Sequence, residues 1–123
     1  MAKFGEVIKV LDDVTATTTS QAVNIEGATK VLLFYKRADH SSGSSAFSAQ
    51  VSVDGSNYVN YNKWVDNVTN TNSQNPTRVS SKTLSADGVD FVTMSRGDGF
   101  KYIKVKVTEV TDGTHSAWLY IEY

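Results

Sequence analysis

Apolar residues recur along this chain at every second position rather than every third or fourth, the period of a half-buried strand and not of a helix. The clearest run is Ala46-Phe47-Ser48-Ala49-Gln50-Val51-Ser52-Val53-Asp54. Phe47, Ala49, Val51 and Val53 share one face there, and Ser48, Gln50 and Ser52 the other. Asp54-Gly55-Ser56-Asn57 follows, with the positive-φ glycine and short polar side chains of a tight hairpin. Residues 58–65 read as the return strand. Tyr58, Asn60, Asn62 and Trp64 lie on one face and Val59, Tyr61, Lys63 and Val65 on the other, which leaves the buried side open.

A second strong strand covers 100–110, where Ile103, Val105 and Val107 alternate with Tyr102, Lys104, Lys106 and Thr108. Thr111-Asp112-Gly113-Thr114 is its turn, and 115–123 return beside it. Further strands are predicted at 6–11, 22–26, 30–37, 78–85 and 89–94, separated by glycine- and serine-rich turns. Within 30–37, Val31-Leu32-Leu33-Phe34 is apolar on both sides, which predicts the most central strand. About eight or nine short strands with frequent turns predict an all-β chain: a single antiparallel β-sandwich or jelly-roll-like domain over 1–123. Residues 1–4 read as an N-terminal arm. Residues 66–77, DNVTNTNSQNPT, form a connection long enough to be either mobile or ordered by a partner.

Composition narrows the function classes. With 12 basic and 13 acidic residues the net charge is −1, so nothing electrostatic favours nucleic acid or an anionic membrane. The absence of cysteine excludes disulfides, thiolate metal sites and cysteine nucleophiles. No cofactor motif is present, and the expectation is a protein without catalytic residues. The first residues lack the apolar core of a secretory signal, and the longest apolar run, Val31 to Tyr35, is too short to span a bilayer. The expectation is synthesis and folding in the cytosol, or secretion with the leader removed.

Several constellations have plain explanations. Asp39-His40-Ser41-Ser42 contains hydrolase-type residues, but adjacency in sequence is not triad geometry, and these residues also suit a turn. His115 follows a turn at the edge of the last strand, which predicts a surface role rather than a metal ligand. Asp54-Gly55-Ser56-Asn57 and Asp98-Gly99 lack the acidic density and closing glutamate of a calcium loop. Asp12-Asp13 reads as a solvated strand end, and Arg96-Gly97-Asp98, the tripeptide read by integrins, as turn chemistry. Lys104, Lys106 and Tyr102 form a basic outward strip of the kind that protects strands from aggregation.

The aromatic residues are more suggestive. In the last strand Ala117, Leu119 and Ile121 take one side, while Trp118 and Tyr120 take the other. A strand apolar on both faces needs two covers, and a second sheet supplies only one of them. Trp64, Trp118 and Tyr120 are therefore expected at subunit or partner contacts, with Asn67, Asn70 and Asn72 of the 66–77 loop reaching a neighbour. The alternative use of Tyr58, Trp64 and Trp118 is a stacking platform for sugar rings.

Three stretches together resemble the small β-rich virion proteins of tailed bacteriophages: TATTTSQAVNI (15–25), the hairpin FSAQVSVDGSNYVNY (47–61) and the terminal WLYIEY (118–123). The resemblance implies a symmetric structural protein without catalytic residues. The role expected is capsid decoration or an auxiliary capsid function, with a tail component and a carbohydrate-binding module as alternatives. The implied partners are copies of itself, as a trimer or higher oligomer, and other virion proteins such as the major capsid protein. The implied location is the virion, assembled in the host cytoplasm.

Overall fold

The computed structural model describes residues 5–66, 78–94, 99–108, 110 and 112–123. They form twelve strands: β1 (Gly5–Val14), β2 (Thr18–Thr19), β3 (Val23–Asn24), β4 (Lys30–Ala38), β5 (Ser45–Ser52), β6 (Val59–Asn60), β7 (Trp64–Asp66), β8 (Arg78–Val79), β9 (Ser81–Leu84), β10 (Gly88–Thr93), β11 (Tyr102–Thr108) and β12 (Thr114–Glu122). Every pairing is antiparallel. The first sheet has the order β1-β12-β4-β10-β7-β8. In the second, β11 and β5 lie side by side, with β2 and β3 on the outer edge of β11 and β6 and β9 on the outer edge of β5.

The alternation in the sequence decides the inner faces. Val31, Leu33 and Tyr35 from β4 and Ala117, Leu119 and Ile121 from β12 meet Phe47, Ala49 and Val51 from β5 and Ile103, Val105 and Val107 from β11 in one core. Tyr35 and Phe47 stack across it with ring centroids 4.8 Å apart. β4 lies between β12 and β10, the inner position that its two-sided apolar run predicts.

Strand number differs from the reading of the sequence, because the chain changes sheets where a single strand was expected. Residues 58–65 split into β6, paired with β5 in the second sheet, and β7, paired with β10 in the first. The switch lies between Tyr61 and Trp64. Both are buried although three residues apart, and their rings meet edge to face with centroids 4.9 Å apart. No single flat strand points both residues the same way. Residues 78–85 split in the same manner, into β8 against β7 and β9 against β5. β2 is an extra strand, outside the predicted 22–26. Val53, expected on the inner face, is exposed, because β5 ends at Ser52 and the turn carries the chain away from the core.

Edge strand β1 is interrupted twice. Its register against β12 shifts between Lys9 and Leu11 and again between Leu11 and Val14. Asp13 sits within the second bulge at φ 49°, and its amide donates to Ser116 Oγ at 3.0 Å. Asp12-Asp13 is thus a bulge inside the strand, a device that twists an edge away from new pairing partners.

Candidate functional site

The feature that stands out is the outer face of the first sheet. Register places outward residues of four strands in rows. Val7 of β1 lies beside Tyr120 of β12, then Leu32 of β4 and Thr93 of β10; one step along, Lys9, Trp118, Phe34 and Phe91 line up in the same order. Val89 continues the patch beside Lys36. Val7 is 66% exposed and Phe34 and Phe91 each 38%. Val7, Leu32, Phe34, Trp118 and Tyr120 enclose an open depression of about 440 Å³. Apolar side chains from four strands thus share one continuous surface instead of standing singly.

Local contacts hold these rings in place. Trp118 and Phe34 pack at 5.8 Å between centroids, and Lys9 Nζ lies 5.2 Å from the Trp118 ring while bonding Asp12 Oδ1 at 2.8 Å. That hydrogen bond raises the Lys9 pKa, and the same contact to Asp12 holds the ammonium near the ring. The Tyr120 hydroxyl donates to Glu122 Oε2 at 2.7 Å, and this bond raises its pKa. The Tyr120 ring lies across Gly5, where a Cβ would come within 2.7 Å of its carbon atoms. Glycine there lets the ring lie flat against β1.

Among the expected contact residues, the structure brings Trp118 and Tyr120 to this face and removes Trp64 from it. Trp64 is 1% exposed and belongs to the core, so its expected role as a contact or stacking residue does not hold. The sheet switch turns its indole inward, and its Nε1 has no hydrogen-bond partner among the described residues. Tyr58 lies at the second sheet, with Lys104 Nζ 4.2 Å above its ring. Tyr58, Trp64 and Trp118 therefore occupy three separate environments and make no common sugar platform. Asn67, Asn70, Asn72, the Arg96-Gly97-Asp98 tripeptide and residues 1–4 lie outside the described residues.

Two buried polar residues escaped the sequence reading. Arg37, fully buried, donates through Nη1 to Gly43 O and Leu84 O, both at 3.0 Å, and through Nη2 to Ser42 O at 3.0 Å and Asp112 Oδ1 at 3.1 Å. The Asp112 carboxylate also accepts the Ser41 hydroxyl and the amides of Ser41 and Ser42. These bonds, the Ser41 hydroxyl first, hold its pKa down at about 2. One ion pair thus ties together the β4–β5 loop, the end of β9 and the β11–β12 turn.

His115 is the second, and its expected surface role is overturned: it is fully buried. Its Nε2 lies 2.7 Å from Ser45 Oγ and its Nδ1 3.0 Å from Val14 O. A carbonyl only accepts, so in the neutral ring Nδ1 carries the proton and the serine donates to Nε2. His40, by contrast, sits near the surface with Nδ1 2.6 Å from Asp87 Oδ1, and its amide and ring hold the Asp87 pKa below the usual range. The serine–histidine pair is thus enclosed and, among the described residues, without a carboxylate, while the histidine–aspartate pair lies elsewhere beside a serine committed to Asp112. A parity signal for both buried residues was present. Arg37 follows Val31, Leu33 and Tyr35 at even spacing, and His115 precedes Ala117, Leu119 and Ile121 in the same way.

The Asp54 turn is closed on itself. Its Oδ1 accepts the amides of Ser56 and Asn57 at 2.9 Å each, and Oδ2 accepts Asn57 Nδ2 at 2.7 Å. These bonds, led by the Asn57 amide, lower its pKa, and they spend the oxygens a cation would need. Among the described residues no group of three or more metal-ligating side chains occurs, and no helix is long and apolar enough to cross a membrane.

No protein-family model and no curated protein matches the sequence. Solved structures do match in fold. SPBc2 prophage-derived protein YomS superposes with a TM-score of 0.67 at 8% identity, covering 99% of this chain and 98% of that one. PBSX exported protein XepA gives 0.66 at 16% identity over 98% of this chain, which spans only 39% of XepA. A protein from the structure described as "Bacillus endospore appendages form a novel family of disulfide-linked pili" gives 0.51 at 18% identity, covering 100% of this chain and 90% of that one. At these identities the likeness is one of fold, a β-sandwich shared with proteins of phage and prophage origin and with an endospore appendage.

Proposed function

We propose that this chain is a non-enzymatic structural component of a phage particle, a capsid decoration or auxiliary protein. It would self-associate by burying the outer face of its first sheet. The observation that carries the reading is the apolar patch of Val7, Leu32, Phe34, Trp118 and Tyr120. Covering such a surface with another protein is favourable through the hydrophobic effect, and a partly buried tryptophan at its centre suits a contact hot spot. The fold shared along almost the whole length of a prophage-derived protein supports this setting. A glycan is a poorer occupant. Sugar sites add hydrogen-bonding groups to the stacking ring, whereas the Tyr120 hydroxyl in this depression already donates to Glu122.

The test combines location with a variant of the face. Antibody labelling of purified particles is expected to find the protein on the virion. The Phe34→Thr/Trp118→Thr variant, whose threonines suit strands, should keep its circular dichroism spectrum but lose about 2 kcal/mol or more of association, roughly thirtyfold in affinity. Unlabelled particles, together with unchanged association of that variant, would refute the reading.

A further inference from the structure

Resting on that reading, we infer that two copies of the chain pair face to face through the outer surface of the first sheet. The twofold axis runs along the strands, between β12 and β4. The pairing register within one copy is what selects this arrangement. β12 and β4 place Glu122 beside Lys30, Tyr120 beside Leu32, Trp118 beside Phe34 and Ser116 beside Lys36. A twofold axis along the boundary between these strands lays β12 of one copy over β4 of the other without shifting the rows. Each cross-strand neighbour then becomes a neighbour across the interface as well.

The chemistry of that exchange is complementary in the three rows from Trp118 to Glu122. Trp118 covers the partner copy's Phe34, and Tyr120 its Leu32. The same rotation carries β1 over β10, so Lys9, already a cation above an indole, reaches the ring of Phe91 in the other copy. At the end of the patch, Glu122 meets Lys30 twice, once on each side of the axis. Turning the axis across the strands instead would set Lys30 over Lys36, a like-charge contact. The rim carries both signs side by side, as a surface that meets its own copy needs and a surface for a uniformly charged partner does not. Packing the two sheets with strands nearly aligned also follows ordinary sheet-on-sheet geometry.

The patch is small. Four strands are roughly 19 Å wide and the stretch from Ser116 to Glu122 roughly 20 Å long, or about 400 Å² on each copy. That is about half of a standard interface, so the pair should form and dissociate with concentration, in the micromolar range or above. A pair is also a smaller unit than the trimer or higher oligomer expected from the sequence.

The experiment is sedimentation velocity of the full chain, from about 1 µM to about 1 mM, with two single variants, Glu122→Lys and Lys30→Glu. Alone, each variant puts like charges on both sides of the axis, and the pair should weaken roughly tenfold. Mixed in equal amounts, the two variants present opposite charges at both contacts, and pairing should return to the wild-type level. Changes inside either monomer would not give that recovery. Failure of the mixture to recover, or wild-type particles larger than a pair, would overturn the twofold arrangement. The proposed role would still stand if the Phe34→Thr/Trp118→Thr variant lost its association. A wild-type chain that stays monomeric to the highest concentration overturns the pairing, and particle labelling then reports separately on the virion role.

Discussion

On the first sheet the outward residues of β12 are Ser116, Trp118, Tyr120 and Glu122; on the second, those of β11 are Tyr102, Lys104, Lys106 and Thr108. Around the first stand Val7, Leu32, Phe34 and Phe91; around the second stand Ser48, Gln50, Asn60 and Thr19. Each strand contributes three apolar residues to the shared core, Ala117, Leu119 and Ile121 from β12 and Ile103, Val105 and Val107 from β11, so the main contrast between the sheets lies on their outer faces. The second sheet presents what a strand face in water needs, short polar side chains and spaced lysines. The first leaves several large side chains uncovered. A stable sandwich requires only the inner faces, so the outer apolar set is what the proposed contact between copies would cover.

The largest expected effect separates the two tryptophans. Trp64→Ala should cost about 3–5 kcal/mol of folding stability, because it empties a packed site beside Tyr61. Trp118→Ala should cost about 1 kcal/mol of stability yet remove most of the association. Thermal unfolding at low concentration, set beside sedimentation at high concentration, checks both. Equal stability losses would erase the distinction between core and face.

Acid should act on the loop end of the sandwich and leave the contrast between the faces alone. The Asp112 carboxyl titrates at about 2 in the folded chain and near 3.9 when unfolded. A depressed carboxyl contributes stability above its unfolded pKa and loses it as pH falls toward the folded value. The Ser41 and Ser42 amides that donate to Asp112 should therefore lose hydrogen-exchange protection between about pH 4 and pH 2, before the amides of β11 and β12 do. Simultaneous loss across the chain would mean that the Arg37–Asp112 clamp is no separate unit.

The smallest effect belongs to the polar face. Lys104→Ala removes the ammonium above Tyr58 and should cost about 0.5 kcal/mol of stability with no change in association. A measurable loss of association in this variant would show that the second sheet also meets a partner.

Much of this was legible along the chain. Alternation at 46–53, 100–110 and 115–123 marks strands and their inner residues, and Asp54-Gly55-Ser56-Asn57 marks its turn, because the period of a strand and the backbone freedom of glycine are local properties. The same alternation separates Trp118 and Tyr120 from Leu119 and Ile121. What local pattern does not hold is which strand lies beside which. The switch of sheets between Tyr61 and Trp64 depends on where β5 and β10 stand, and it turned an expected contact residue into core. Arg37 and His115 have the parity of buried positions, but only loops and strands distant in sequence supply the carbonyls, carboxylate and hydroxyl that make their burial tolerable. Tertiary structure alone also gathers Val7, Leu32, Trp118 and Phe91 onto one surface, since a side chain's direction follows from its own backbone while its neighbours are set by long-range packing.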